Sequence, residues 1–264
     1  MSNSKIHSTA IIDPKAEIGN NVLVGPYSII GPGVVIGDDN TIENHVTIKG
    51  DTRIGRGNTI GAYTSIGLGA QDKAHRNEPT KVVIGEENEI REYISIHSGT
   101  FGGTGITKIG SHNQIMVSAH FGHDTSVGDH CMLANATTLG GHAQIGNYVV
   151  TGGLSGLHQF CKIGDYAMLG ALSATYQDIP PYTLSSGPRA GAYGINRYGL
   201  QKNGFSDNEI ASVQEIYNIF FCKGMVPKKS LEQIEREIPE GKIRERFINF
   251  VNESKRGIIS KGNG

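Results

Sequence analysis

The chain has 264 residues with 24 basic and 25 acidic side chains. That is room for one large domain or a medium domain with an appendage, and too little net charge to argue for nucleic-acid or membrane-surface binding. The balance is uneven: from Arg189 onward there are 13 Lys+Arg against 9 Asp+Glu, whereas the preceding 188 residues carry 11 against 16. A −5 body therefore precedes a +4 tail suited to an anionic partner or substrate.

The start, MSNSKIHSTA, lacks an apolar signal core, and no run approaches the ~20 apolar residues of a membrane span. Cys131, Cys161 and Cys222 are isolated, with neither a CxxC pair nor a disulfide framework. A reduced, cytoplasmic compartment is expected. The 37 glycines are about twice the average share and follow no collagen period, which calls for another repeat.

Read in sixes, the first part of the chain resolves. Aliphatic residues fall at Ile6, Ile12, Ile18, Val24, Ile30, Ile36, Ile42, Ile48, Ile54, Ile60 and Ile66, often with glycine next. Neither a helical nor a simple strand period explains this phase. It is the hexapeptide signature of a parallel β-helix, in which three short strands make a triangular coil of about 18 residues and the aliphatics stack inside. The phase breaks at a polar segment of about 68–82 and again at a glycine-rich segment of about 98–107. It continues between and after them, through Ile84, Ile90 and Ile96, then from Ile109 to Leu169, with Thr151 its soft spot. Loops inserted into so strict a solenoid point to function.

Pro180-Pro181 ends the repeat. Ser206 to Glu209 reads as a capping box opening one helix, Ser230 to Gln233 opens a second that ends before Pro239, and Lys242 to Glu253 forms a third. The expected division is 1–182 as β-helix and 183–264 as an α-helical C-terminal domain.

Within the repeat, Ser118 to Asp124 contains two histidines and an aspartate, His120, His123 and Asp124. Counting by coils, and allowing for the insert of about seven residues, sets His97, His123, His142 and His158 near one edge of the prism, beside both loops. Imidazole moves protons near neutral pH and an adjacent carboxylate can orient it. His123 would then take a proton from an attacking hydroxyl, with N–H groups of the Gly140-Gly141 corner holding the oxyanion. Zinc is the competing use of such histidines. The HxxHD spacing and the lack of a cysteine or acidic cluster argue against it, so no metal and no cofactor are expected. A purely structural solenoid would need neither aligned histidines nor phase-breaking loops.

The motifs Ile96-His97-Ser98-Gly99-Thr100, Ala119 to Asp124, Gly140-Gly141-His142, His158-Gln159-Phe160-Cys161 and Gln177 to Tyr182 resemble the UDP-N-acetylglucosamine O-acyltransferase family along essentially the whole chain. The resemblance implies a left-handed coil, a homotrimer with sites between subunits, and transfer of a 3-hydroxyacyl group from acyl carrier protein to the 3-position of the UDP-sugar in lipid A synthesis. It implies His123 as base, Asp124 as neighbouring carboxylate and Gly141 as oxyanion donor. His97, His120, His142, His158 and Gln159 would line the cleft, Gln71 and Asp72 would touch the sugar, Asn196 the nucleotide, and Ala171 would set acyl length. Departures fall in the first insert, where Gln71-Asp72-Lys73-Ala74 sets the lysine one place early, and after Asn196, where Tyr198 replaces an acidic residue and Lys202-Asn203 stands for a basic pair. A related transferase acting on a sugar amine is the alternative within the class. That relative carries an additional N-terminal uridine-binding domain, for which hexads starting at Ile6 leave no room.

Overall fold

The computed structural model describes residues 4–76 and 78–262. Two-residue strands recur every six positions and pair in parallel one coil away, Lys5 with Leu23 and Thr41 with Thr59. The result is three sheets of eleven, nine and eight strands, the faces of a left-handed triangular prism. The hexad aliphatics from Val24 to Leu169 point inward and are buried. Ile6, in the first coil, has no described coil beneath it and is 48% exposed. Thr151 fits the aliphatic column because its hydroxyl lies 2.7 Å from that of Thr137, so no buried polar group is left unpaired.

A second, polar column runs inside the prism. Asn40, Asn58, Asn88 and Asn113 are buried and stack, each side-chain oxygen accepting the backbone N–H of the next coil. Cys131 closes this ladder: its N–H donates to the Asn113 side chain and its thiol to the Gly146 carbonyl. Burial, the largest influence, pushes that thiol up to about 12, so it behaves as an inert neutral donor.

The two inserts leave the coils in register. Ser65 pairs with Ser95 across the first, and Lys81 with Ile106 across the second. Strands Ser65–Leu68 and Lys81–Ile84 flank the first insert, and Ile106–Ile109 follows the second.

Beyond Pro181, Thr183–Ser186 adds a parallel strand to the first sheet and turns back antiparallel through Gly191–Ile195. Helices follow: α1 (Arg197–Lys202), α2 (Asp207–Tyr217), running on into a π-helical turn (Asn218–Cys222), α3 (Pro227–Glu237) and α4 (Lys242–Glu253). The Ser206–Glu209 capping box is present. α3 starts at Pro227 rather than Ser230, because proline suits the first helical position, where no N–H is needed. Arg246 of α4 pairs with Asp165 at 3.0 Å and donates to the Tyr182 hydroxyl at 3.1 Å, locking the helices to the last coils. The final segment straps the top coil: Ser254 donates to the Asp178 carboxylate and Gly257 accepts from the Asp178 N–H.

Candidate active site

The prism has three edges, where each coil turns from one sheet to the next. Register decides which side chains share an edge. Ile96 pairs with Phe121, Phe121 with Leu139 and Leu139 with Leu157, so His97, Gly122, Gly140 and His158 occupy one position on successive coils. His123 and Gly141 share the next position, and Asp124, His142 and Phe160 the one after. The predicted histidines thus stand on one edge in adjacent columns. Asp124 and His142 have φ of 59° and 61°, the left-handed corner conformation that aspartate tolerates better than most residues.

Asp124 is the hub. Its Oδ2 accepts from His123 Nδ1 at 2.9 Å and from the Thr100 N–H and hydroxyl at 3.0 and 2.7 Å. Its Oδ1 accepts from the N–H groups of Thr104 and Gly105 at 2.8 and 3.0 Å, with the Thr104 hydroxyl 2.9 Å away. The residue is 4% exposed. Burial alone would raise its carboxyl, but the donations from His123, Thr100 and Thr104 outweigh that and hold it down at about 2. A fixed carboxylate therefore faces His123 Nδ1, so in the neutral ring the tautomer is the one with the proton on Nδ1 and the lone pair on Nε2.

The His123 ring lies against Gly141: a Cβ added there would stand 2.6 Å from Nε2. Only glycine lets the ring come this close. Among the described residues the Gly141 N–H donates to no protein group, whereas its carbonyl accepts from Phe160. An acceptor atom and a free N–H donor thus lie side by side.

Around this pair, His142 meets His123 edge-on, with centroids 5.0 Å apart, and stacks on Phe160 at 4.4 Å. Burial lowers the pKa of His142, Asp124 opposes the shift, His123 adds to it and Asp72 from the first insert opposes it. His97 donates through Nδ1 to the Gly69 carbonyl at 2.8 Å, and its ring lies 5.4 Å from that of His120. Burial, then His97, lowers the pKa of His120, whose Nδ1 is 2.8 Å from the Ser95 hydroxyl. His158 is further along the edge, against Tyr176 and 3.4 Å from Arg256, with exposed Gln159 beside it. Gln71 and Asp72 are exposed in the first insert.

Three predicted residues are elsewhere. Ala171 lies on a different edge, in the turn one coil above Gly153. Asn196 and Lys202 line a cavity of about 470 Å³ on the first sheet, with His112, His130, Tyr148 and Met168. The Asn196 side chain caps α1, accepting from Gly199 and donating to the Tyr166 carbonyl. Asn203 donates to the Gly199 carbonyl within the same helix, and Tyr198 is exposed.

His123, Asp124 and His142 also bring ligand atoms within 4.8 Å of one another, a spacing that could hold a cation. The Asp124 oxygens, however, already accept donors on both sides, and a cation would have to displace them. Thr104, Arg256 and Thr100, the last quoted within a motif but given no role there, are the residues around the site that the motifs did not single out.

This prism belongs to the hexapeptide-repeat transferases: residues 3–37, 15–50 and 33–67 match the family described as bacterial transferase hexapeptide (six repeats). Residues 178–259 match the family described as Udp N-acetylglucosamine O-acyltransferase, Domain 2. The chain is 44% identical over 255 residues to the acyl-[acyl-carrier-protein]–UDP-N-acetylglucosamine O-acyltransferase of Thermodesulfovibrio yellowstonii, covering 97% of this chain and 99% of that one. It superposes on LpxA from Acinetobacter baumannii with a TM-score of 0.94 at 44% identity, covering 96% and 99% of the two chains. UDP-N-acetylglucosamine O-acyltransferase from Moraxella catarrhalis gives 0.94 at 40% identity over 96% and 99%. The chain belongs to the acyl-[acyl-carrier-protein]–UDP-N-acetylglucosamine O-acyltransferase family.

Proposed function

We propose that the chain transfers a 3-hydroxyacyl group from acyl carrier protein to the 3-hydroxyl of UDP-N-acetylglucosamine, in lipid A synthesis, with His123 as general base. The family's named activity supplies the reaction, and one observation carries the assignment: His123 Nδ1 is committed to Asp124, which leaves Nε2 as an acceptor beside the free Gly141 N–H. The sugar hydroxyl gives its proton to Nε2 as its oxygen bonds to the thioester carbonyl carbon. Charge on the carbonyl oxygen is met by the Gly141 N–H. Collapse breaks the C–S bond, and the carrier's thiolate takes the proton back from the imidazolium. Asp124 keeps its charge throughout and orients the ring.

We assign Gln71, Asp72, His97, His120, His142, His158 and Gln159 to the walls of the acceptor cleft. Ala171 marks the end of the acyl site, and Asn196 and Lys202 belong to the nucleotide end. Because these last three stand away from the His123 edge of their own chain, a second copy must bring them to it. We propose a homotrimer with active sites between subunits as that assembly. We divide the chain at 182/183, the C-terminal part opening with the β-hairpin. Among the described residues no helix is long and apolar enough to cross a membrane. We place the protein in the cytoplasm, where its carrier-bound donor is made.

The test is His123→Ala assayed with carrier-bound donor and both hydroxyl- and amino-bearing sugar acceptors. Turnover of the hydroxyl acceptor should drop by roughly 10²–10⁴-fold with an unchanged melting temperature. Full turnover in the variant would remove His123 from the mechanism.

A further inference from the structure

The second insert closes on a single carboxylate. From Ser98 onward the chain leaves the coil, turns through Thr100 to Gly105, and returns at Ile106. Its contacts with the prism edge converge on Asp124: two donors from Thr100 reach Oδ2 and two N–H groups, of Thr104 and Gly105, reach Oδ1. Gly103 lies directly over the cluster, where an added Cβ would be 2.5 Å from Asp124 Oδ2 and 2.6 Å from His142 Cε1. The Asp124 N–H donates in turn to the buried Thr107 hydroxyl at 2.9 Å.

Thr100 differs from the other donors in two respects. It is 7% exposed, whereas Thr104 faces solvent and its single hydroxyl proton is shared with the Ile106 carbonyl, 2.9 Å away. Its hydroxyl also binds the same oxygen, Oδ2, that accepts from His123. Without that hydroxyl, Oδ2 would meet the pull of the His123 ring with only the longer Thr100 N–H bond at 3.0 Å, and the ring could draw the carboxylate out of its plane. The 2.7 Å bond from a buried, β-branched and rotamer-restricted side chain, the shortest of the three to that oxygen, removes this freedom. We propose that Thr100 is a positioning residue for proton transfer: it fixes the plane of the Asp124 carboxylate and, through it, the direction in which His123 Nε2 points. The insert is then part of the proton-transfer apparatus and not only a wall of the cleft.

This inference rests on His123 being the base, and the experiment separates the two. Thr100→Val, which keeps shape and deletes the O–H, and Thr100→Ser, which keeps the O–H, are made in the full-length chain, each alone and combined with His123→Ala. Thr100→Val should lower kcat by about 10–100-fold, the range for losing a hydrogen bond to a charged group, with KM for both substrates within about 2-fold. Thr100→Ser should recover most of that loss. In the His123→Ala background, Thr100→Val should change the residual rate by less than about 2-fold, because its effect passes through the missing ring. If Thr100→Val does not fold, Thr100→Cys, with a weak donor of similar size, takes its place, and its kcat should fall below that of Thr100→Ser.

Equal damage from Val and Ser, an unchanged kcat, or the same fold-loss with and without His123 would each overturn the positioning role while leaving the base assignment intact. A fully active His123→Ala would overturn both.

Discussion

Replacing Asp124 by asparagine removes one charge and almost no volume, so its consequences follow from hydrogen-bond direction alone. Both carboxylate oxygens now face only donors: His123 Nδ1 and two from Thr100 on one side, the Thr104 and Gly105 N–H groups on the other. An amide must present its NH₂ to one of these sides. Turned toward Thr104 and Gly105, it sets two backbone N–H groups against a donor. Unpaired buried donors cost about 1–3 kcal/mol each, or about 2–6 kcal/mol for the two. Turned toward His123, it strands the Thr100 N–H and drives the imidazole into the tautomer with its proton on Nε2, which cannot accept the substrate's proton. Either way Asp124→Asn should melt several degrees lower.

Its kcat should fall by roughly 10²–10⁴-fold, as wrong-tautomer substitutions do. The acid side supplies a second check. With its carboxyl held at about 2, Asp124 stabilises the fold at any pH above the unfolded value near 4, and loses that contribution as pH falls from about 4 toward 2. At about 1.4 kcal/mol per unit the contribution is on the order of 2 kcal/mol, so the melting curves of wild type and Asp124→Asn should converge as pH falls through this window. An Asp124→Asn protein with wild-type melting and turnover would refute the hub role.

Two further substitutions probe the site and the prism separately. Gly141→Ala places a methyl 2.6 Å from His123 Nε2 and should cut kcat by about 10²–10³-fold while the melting temperature moves little, since the clash is with an imidazole at the edge and not with the core. Asn88→Ala interrupts the interior ladder, leaving the Asn113 N–H without its acceptor and opening a small cavity, and should cost about 2–4 kcal/mol in denaturant melts.

Much of the prism is legible because a six-residue phase has one physical meaning. From Val24 to Leu169 each hexad aliphatic is inward, and the seven-residue excess read between Ile96 and Ile109 matches the pairing of Lys81 with Ile106. The polar column of Asn40, Asn58, Asn88 and Asn113 is spaced by coils and inserts, yet asparagine reads as surface until its partners are seen to be backbone groups of the next coil. α1 escapes notice because six residues hold fewer than two turns, and Asn196 reads as a ligand contact before it reads as a cap. At the site, the histidines can be assigned to one edge by arithmetic. Whether His97 stacks on position 122 or 123 is a one-residue matter that only the ladder decides. The Thr100–Asp124 contact spans 24 residues through an aperiodic insert, where no period carries information.

That contact also explains why chemistry can reside on the surface of a solenoid. Corner positions are exposed by construction: His112 and His130, stacked on another edge with centroids 4.8 Å apart, face solvent. Charges there are screened and side chains are free to turn. Asp124 occupies an equivalent left-handed corner position and is buried, with the insert between Ser98 and Gly105 supplying most of the donors around it. The coil supplies exact repetition of position, stacking His123 on Gly141 and Asp124 under His142. The insert supplies low dielectric and fixed donors, which make a carboxylate an orienting group rather than a solvated one. A hexad corner becomes a catalytic site where a break in the repeat folds back over it.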